Sequence, residues 1–235
     1  MAKPRVIEPP VGRFSQPSPI LAPVIQRLKA LRSPRVPPRS GPTSVAGRAD
    51  QAVLRFLRTR GHPPAAETAM RALGWAGDHA AVWLALGAAG ALADRRRRRR
   101  WLVAGATGPA AIGINLAVKV AVGRERPLIE GHPRLGRAPT ELSFPSAHAT
   151  SSVAAAIALG RVEPRARPAL LVLAAAICAG RPYLGMHYPS DVAAGIVLGA
   201  CIGALVPGVG VTADEDRLID LAIDAGKPTP VAAAA

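Results

Sequence analysis

Lys119-x6-Arg126, then His148, then Arg181, His187 and Asp191 are residue types suited to one chemistry, the binding and transfer of a phosphoryl group. In that chemistry fixed positive charge meets the equatorial oxygens while imidazoles attack phosphorus or move protons. Two turns of a continuous helix would project Lys119 and Arg126 from one face. The pair also fits juxtamembrane anchors, and Arg124, off that face, reads as such an anchor. Ser143-Phe144-Pro145-Ser146-Ala147-His148 leads into an alanine-rich stretch, which places Ser146, Ala147 and His148 at a helix N-terminus, where unpaired N–H groups attract anions. Ser146 reads equally as an ordinary N-cap, whereas His148 as an imidazolium can hand a proton to a leaving oxygen. Pro189 suits the first turn of a further helix, so Asp191 can reach back and hold one nitrogen of His187 while the other attacks. A helix-capping aspartate beside an unrelated histidine is the plainer alternative.

Helices must carry these groups. The chain has 235 residues, 49% hydrophobic and 19% charged, which excludes a disordered or fibrous protein. Its net charge of +15 is concentrated in the first hundred residues, and with aromatics at only 3% there are few platforms for stacking bases, so no nucleic-acid partner is expected. Cys178 and Cys201 show no CxxC spacing and read as small apolar residues. Residues 1–46, rich in Pro and Arg, predict a disordered tail without a cleavable signal, apart from a short basic turn at Ile25 to Leu31. Residues 47–71 predict an amphipathic interfacial helix, with Val53, Leu54, Phe56 and Leu57 on one face and Arg55 and Arg58 opposite or beside it. Residues 72–210 form the catalytic domain, and 211–235 a short acidic helix, started by Thr212 and Glu215, with a C-terminal tail.

The stretches 72–93, 101–122, 147–160, 169–180 and 192–209 are apolar, and the longer ones approach the roughly 20 residues that a bilayer requires. The predicted fold is therefore all-α, an integral-membrane bundle of about five to six helices. The run Arg95 to Arg100 before Trp101 and the arginines of 161–168 assign those two loops to the cytoplasm. Loops 123–146 and 181–191 then meet on the extracytoplasmic face of a multi-pass plasma-membrane protein. Segment 72–93 fits poorly, since it would start outside behind a basic tail.

Lys119-x6-Arg126-Pro127, Pro145-Ser146-Ala147-His148 and Arg181-x5-His187-x3-Asp191 resemble, in order and spacing, the three-part signature of the type 2 phosphatidic acid phosphatase superfamily, which includes vanadium haloperoxidases. The resemblance spans residues 119 to 191. It implies that His187 attacks phosphorus, that Asp191 orients it, and that His148 protonates the leaving alkoxide. It further implies that Lys119, Arg126, Ser146, Ala147 and Arg181 bind the phosphate without metal or cofactor. Ala147 stands where the family usually has Gly, which would strain a backbone needing positive φ, and Gly180 where it often has Ser. The implied substrate is a lipid phosphate or diphosphate, with polyprenyl and cell-wall carriers favoured. Phosphatidic acid, phosphatidylglycerophosphate and the vanadium-dependent haloperoxidase reaction are the alternatives.

Overall fold

The computed structural model describes residues 45–136 and 138–209, with side chains from residue 47 onward. The expected N-terminal tail before residue 45, its Ile25 to Leu31 turn and the acidic C-terminal helix lie outside the described residues. Among these the chain forms seven α-helices and one 3-10 turn. They are α1 (Val45–Thr59), α2 (Pro64–Gly77), the turn Asp78–Ala80, α3 (Ala81–Ala93), α4 (Arg98–Val122), α5 (Ala147–Val162), α6 (Arg167–Tyr183) and α7 (Pro189–Leu205). The only pairing of β type among the described residues is two isolated bridges, so the fold is all-α as the apolar stretches predict.

Alanine sets the architecture. Ala149, Ala154, Ala155, Ala156, Ala158 and Leu159 are fully buried, making α5 the central helix, packed against α4, α6 and α7. On the α7 side the approach is closer still. A Cβ added at Gly195, Gly199 or Gly203 would lie 2.7, 2.5 and 2.5 Å from the carbonyl oxygens of Ser146, Thr150 and Ala154. One turn of helix separates successive members of this stripe, so α7 rides backbone to backbone on α5, as small-residue faces allow in membrane bundles.

The outer faces are apolar: Leu84, Leu102, Ile114, Leu116, Val172 and Val197 are exposed, while Asn115, Thr150, Ser151 and Ser152 are buried inside. That inversion suits lipid rather than water. Helix α4 is long and apolar enough to cross a bilayer.

Segment 72–93 is not one helix. Positive φ at His79 (55°) and Ala80 (59°) breaks it, so α2 ends at Gly77 and α3 begins at Ala81. The stretch read as a single helix over 47–71 holds α1 and the start of α2, separated by Arg60 to Pro63. Leu54 of α1 is buried against the protein while Val53 and Phe56 face outward. Arg58, read from the sequence as lying on or beside the polar face, is buried and donates to the carbonyls of Pro133 (2.7 Å) and Tyr183 (3.3 Å). Helices α1 and α2 thus sit at the end of the bundle that carries the loop 123–146. The chain enters the bundle only at α3, from that same end, so the poor fit of a segment that starts there behind a basic stretch remains. At the opposite end Arg97 donates to Val162 O (2.7 Å) and pairs with Glu163 (3.2 Å), joining the two arginine-rich loops.

Replacing Gly199 with Val should lower the thermal midpoint in detergent by the equivalent of about 1–3 kcal/mol, through overpacking against Thr150 O. An unchanged midpoint would mean that α5 and α7 are not in backbone contact.

Candidate active site

Helix α4 stops at Val122, capped by Gly123 with φ of 68°. Lys119 and Arg126 therefore do not share a helical face: Lys119 is in the last turn, and Arg126 lies in the following loop. That loop is tied back on itself by Ser143 N donating to Arg124 O (2.7 Å) and Arg126 N donating to Glu141 O (3.0 Å). The folding-back brings both side chains to one place. Lys119 Nζ is buried and donates to the carbonyls of Pro145 (2.9 Å), Ser143 (3.2 Å) and Leu142 (3.2 Å). Those oxygens, rather than the carboxylate or anion that its burial calls for, hold the ammonium.

Arg126 donates through one terminal nitrogen to Met186 O (2.8 Å) and meets His187 Nε2 at 3.0 Å. A guanidinium can only donate, so Nε2 is the accepting nitrogen and the ring proton sits on Nδ1. Nδ1 faces Asp191 Oδ2 at 3.7 Å, short of a hydrogen bond. His187 is thus held in the tautomer that leaves Nε2 with its lone pair. Burial, followed by the charges of Arg126, Arg181, Lys119 and His148, keeps the imidazole well below its ordinary pKa. The three cations named from the sequence, and His148 with them, therefore bear on the His187 ring. Burial also pushes Arg126 down to about 10, which leaves it charged at neutral pH.

Ser146 is the N-cap residue of α5, but its hydroxyl caps nothing. Ser146 Oγ is buried without a partner, and so is Arg181 Nε. Buried polar atoms are normally paired, so each of these two orphans marks a place where an acceptor belongs. Ala147 opens α5 and is not among the positive-φ residues, so the Gly-to-Ala departure carries no backbone strain. At Gly180 a Cβ would meet Met70 Sδ at 3.4 Å, an ordinary contact, so only a hydroxyl is missing there.

Two further carboxylates stand at the site, where the sequence pointed to Asp191 alone. Asp191 Oδ2 accepts from Tyr188 N (2.9 Å), and Oδ1 accepts from Arg124 (2.8 Å). Arg124 is therefore no headgroup anchor. Its other terminal nitrogen donates to Asp50 Oδ2 (2.8 Å), and its plane lies 4.1 Å from the Tyr188 ring centre. Asp50 also accepts from the backbone N–H (2.9 Å) and hydroxyl of Ser190. Burial opposes the Asp50 charge, yet the Ser190 and Arg124 hydrogen bonds hold its carboxyl below the usual range. Its one sequence signal is being the lone acidic residue of α1. The other carboxylate is Asp78, whose Oδ1 lies 3.1 Å from His148 Nε2. It was hidden because 72–93 reads as one apolar segment.

The His187 shift has a consequence for stability. Its ordinary value is 6.5 and its folded value lies well below, so the unfolded chain takes up the proton first as pH falls. Stability should be fullest above pH 6.5 and decline below it. The thermal midpoint in detergent should drop between pH 7 and pH 5, less steeply in His187→Gln than in wild type; parallel curves would contradict this.

Known proteins are similar to this chain. The PAP2 superfamily model matches residues 100–213. A decaprenylphosphoryl-5-phosphoribose phosphatase of Mycobacterium tuberculosis (strain CDC 1551 / Oshkosh) is 48% identical over 143 residues, 60% of this chain and 78% of the relative. A lipid A 1-phosphatase of Rhizobium johnstonii is 37% identical over 95 residues, 37% of this chain and 38% of that protein. Among solved structures, a transmembrane PAP2 type phosphatidylglycerolphosphate phosphatase from Bacillus subtilis superposes with a TM-score of 0.59 at 21% identity, covering 84% of this chain and 95% of that one. By its sequence, and by a fold shared with a membrane phosphatase, this chain belongs to the PAP2 superfamily.

Proposed function

We propose that this protein hydrolyses a lipid phosphate, a polyprenyl-linked one before others, through a phosphohistidine formed on His187. The observation that carries this reading is the neutral, Nδ1-protonated His187, on which three buried cations act, together with the buried and unpaired Ser146 Oγ and Arg181 Nε. A bound phosphate would take over the Arg126 hydrogen bond from His187 Nε2 and so free the lone pair for attack. Its non-bridging oxygens would accept from Lys119, Arg126, Arg181, the Ser146 hydroxyl and the α5 N-terminus at Ala147, where charge gathers in the transition state. Asp191 closes on Nδ1 as positive charge develops on the ring. His148 gives its proton to the leaving oxygen and then takes one from the water that cleaves the phosphohistidine.

The apolar outer surface supports a lipid substrate and argues against the haloperoxidase alternative, which belongs to a soluble enzyme. The decaprenyl-linked substrate in the name of the Mycobacterium tuberculosis relative supports a polyprenyl carrier over phosphatidic acid or phosphatidylglycerophosphate. For orientation, the two arginine-rich loops meet at the end of the bundle opposite the site. By the positive-inside rule, α3 to α7 cross the plasma membrane with the site extracytoplasmic and α1 and α2 lying along the outer surface.

The test is phosphate release by the purified protein in detergent with chelator, across polyprenyl phosphate, phosphatidic acid and phosphatidylglycerophosphate. Release should be fastest with the polyprenyl substrate. It should vanish in His187→Ala and fall about 10² to 10⁴-fold in His148→Ala with alkyl leaving groups. Full activity of a folded His187→Ala protein would refute the assignment.

A further inference from the structure

His148 is held from the side away from the sequence motifs. Its Nε2 lies 3.1 Å from Gly74 O and 3.1 Å from Asp78 Oδ1. A carbonyl only accepts, so Nε2 carries a hydrogen, and Nδ1 is the nitrogen left to serve a leaving oxygen. The backbone is built to make this contact. Asp78 directly precedes the two left-handed residues His79 and Ala80, a conformation that costs non-glycine residues on the order of 1–3 kcal/mol each and persists only where surrounding structure enforces it. Gly77 lets the turn lie on the ring, since a Cβ there would come within 2.9 Å of His148 Cδ2. Gly74 does the same against Arg181, whose terminal nitrogen would be 3.1 Å from an added Cβ. Gly74, Gly77 and Asp78 all precede the family-matched stretch, which begins at residue 100.

We propose that Asp78 is the positioning residue of His148, fixing the ring through Nε2 so that Nδ1 delivers the proton to the leaving-group oxygen. The inference rests on the phosphatase reading above. In the first step the His187 Nε2–P bond forms as the P–O bond to the leaving group breaks. The released electron pair takes the proton from His148 Nδ1, and the ring becomes neutral while keeping its Nε2 hydrogen on Gly74 O and Asp78. In the second step water attacks phosphorus, its proton passes to His148 Nδ1, and the Nε2–P pair returns to His187. The site then holds two His–Asp pairs, His187 with Asp191 for attack and His148 with Asp78 for proton transfer.

Leaving-group dependence separates this role from a structural one. An alkyl phosphate needs its leaving alkoxide protonated, whereas 4-nitrophenyl phosphate does not. Asp78→Asn should lower kcat on a short-chain prenyl phosphate about 10- to 100-fold at nearly unchanged KM, part of what a general acid supplies, and on 4-nitrophenyl phosphate less than about threefold. In a His148→Ala background Asp78→Asn should cost nothing further, and Asp78→Glu should recover part of the loss. Equal losses on the two substrates, or a full additional loss in the His148→Ala background, would overturn the inference while the phosphatase reading stands. A wild-type protein that turns over neither substrate would overturn both. Should Asp78→Asn prove unstable by thermal melt, Asp78→Glu carries the same comparison, since equal losses on both substrates again count against the role.

Discussion

Burying like charges together is the constraint from which the rest of this structure follows. Lys119, Arg126 and Arg181 are each less than a tenth exposed, and all three act on one imidazole. A single charge at the centre of a bilayer costs on the order of 2.5–3.5 kcal/mol, and three together repel as well. The fold meets this in different ways for each. Lys119 is surrounded by three carbonyl oxygens, and Arg126 spends its donors on Thr140 O, Met186 O and the His187 lone pair. Arg181 keeps a buried Nε with no acceptor. The arrangement remains short of negative charge, which a dianionic phosphate would supply under the proposed function.

Carboxylates are distributed with equal care, at the margins of the three cations rather than in direct contact with them. Asp191 is bound on both oxygens, by Arg124 and by Tyr188 N–H, and faces His187 Nδ1 from there. Asp50 anchors α1 to the first turn of α7 and to Arg124 in one contact. Asp78 meets His148 from the break between α2 and α3. The segment before α3 therefore does more than rest on the bundle: it reaches His148 directly through Asp78, and Asp50 reaches Arg124, the partner of Asp191.

The central helices and the motif residues were legible in the sequence because small apolar runs and ionisable residues within them leave a plain record. The stretch 147–160 became α5, and Pro189 did start α7 with Asp191 in its first turn. What failed was extrapolation along the backbone. Spacing alone placed Lys119 and Arg126 on one helical face, but Gly123 ends α4 and the loop brings Arg126 back by another route. Spacing likewise made 72–93 a single segment, since nothing in Asp78-His79-Ala80 announces two left-handed residues. Arg124 read as an anchor because its partners, Asp50 and Asp191, lie 74 and 67 positions away. Long-range ion pairs of that kind leave no local pattern.

The claim on which the account turns is covalent: phosphorus passes through the Nε2 nitrogen of His187. Rapid quenching in alkali of the purified protein mixed with a ³²P-labelled lipid phosphate, followed by peptide mapping, reads this directly. The account predicts an acid-labile, alkali-stable label on the peptide containing His187, formed and lost at rates compatible with turnover. Label on another residue, or turnover with no phosphoenzyme at any quench time when His148→Ala is given 4-nitrophenyl ³²P-phosphate, whose leaving group needs no acid, would contradict it.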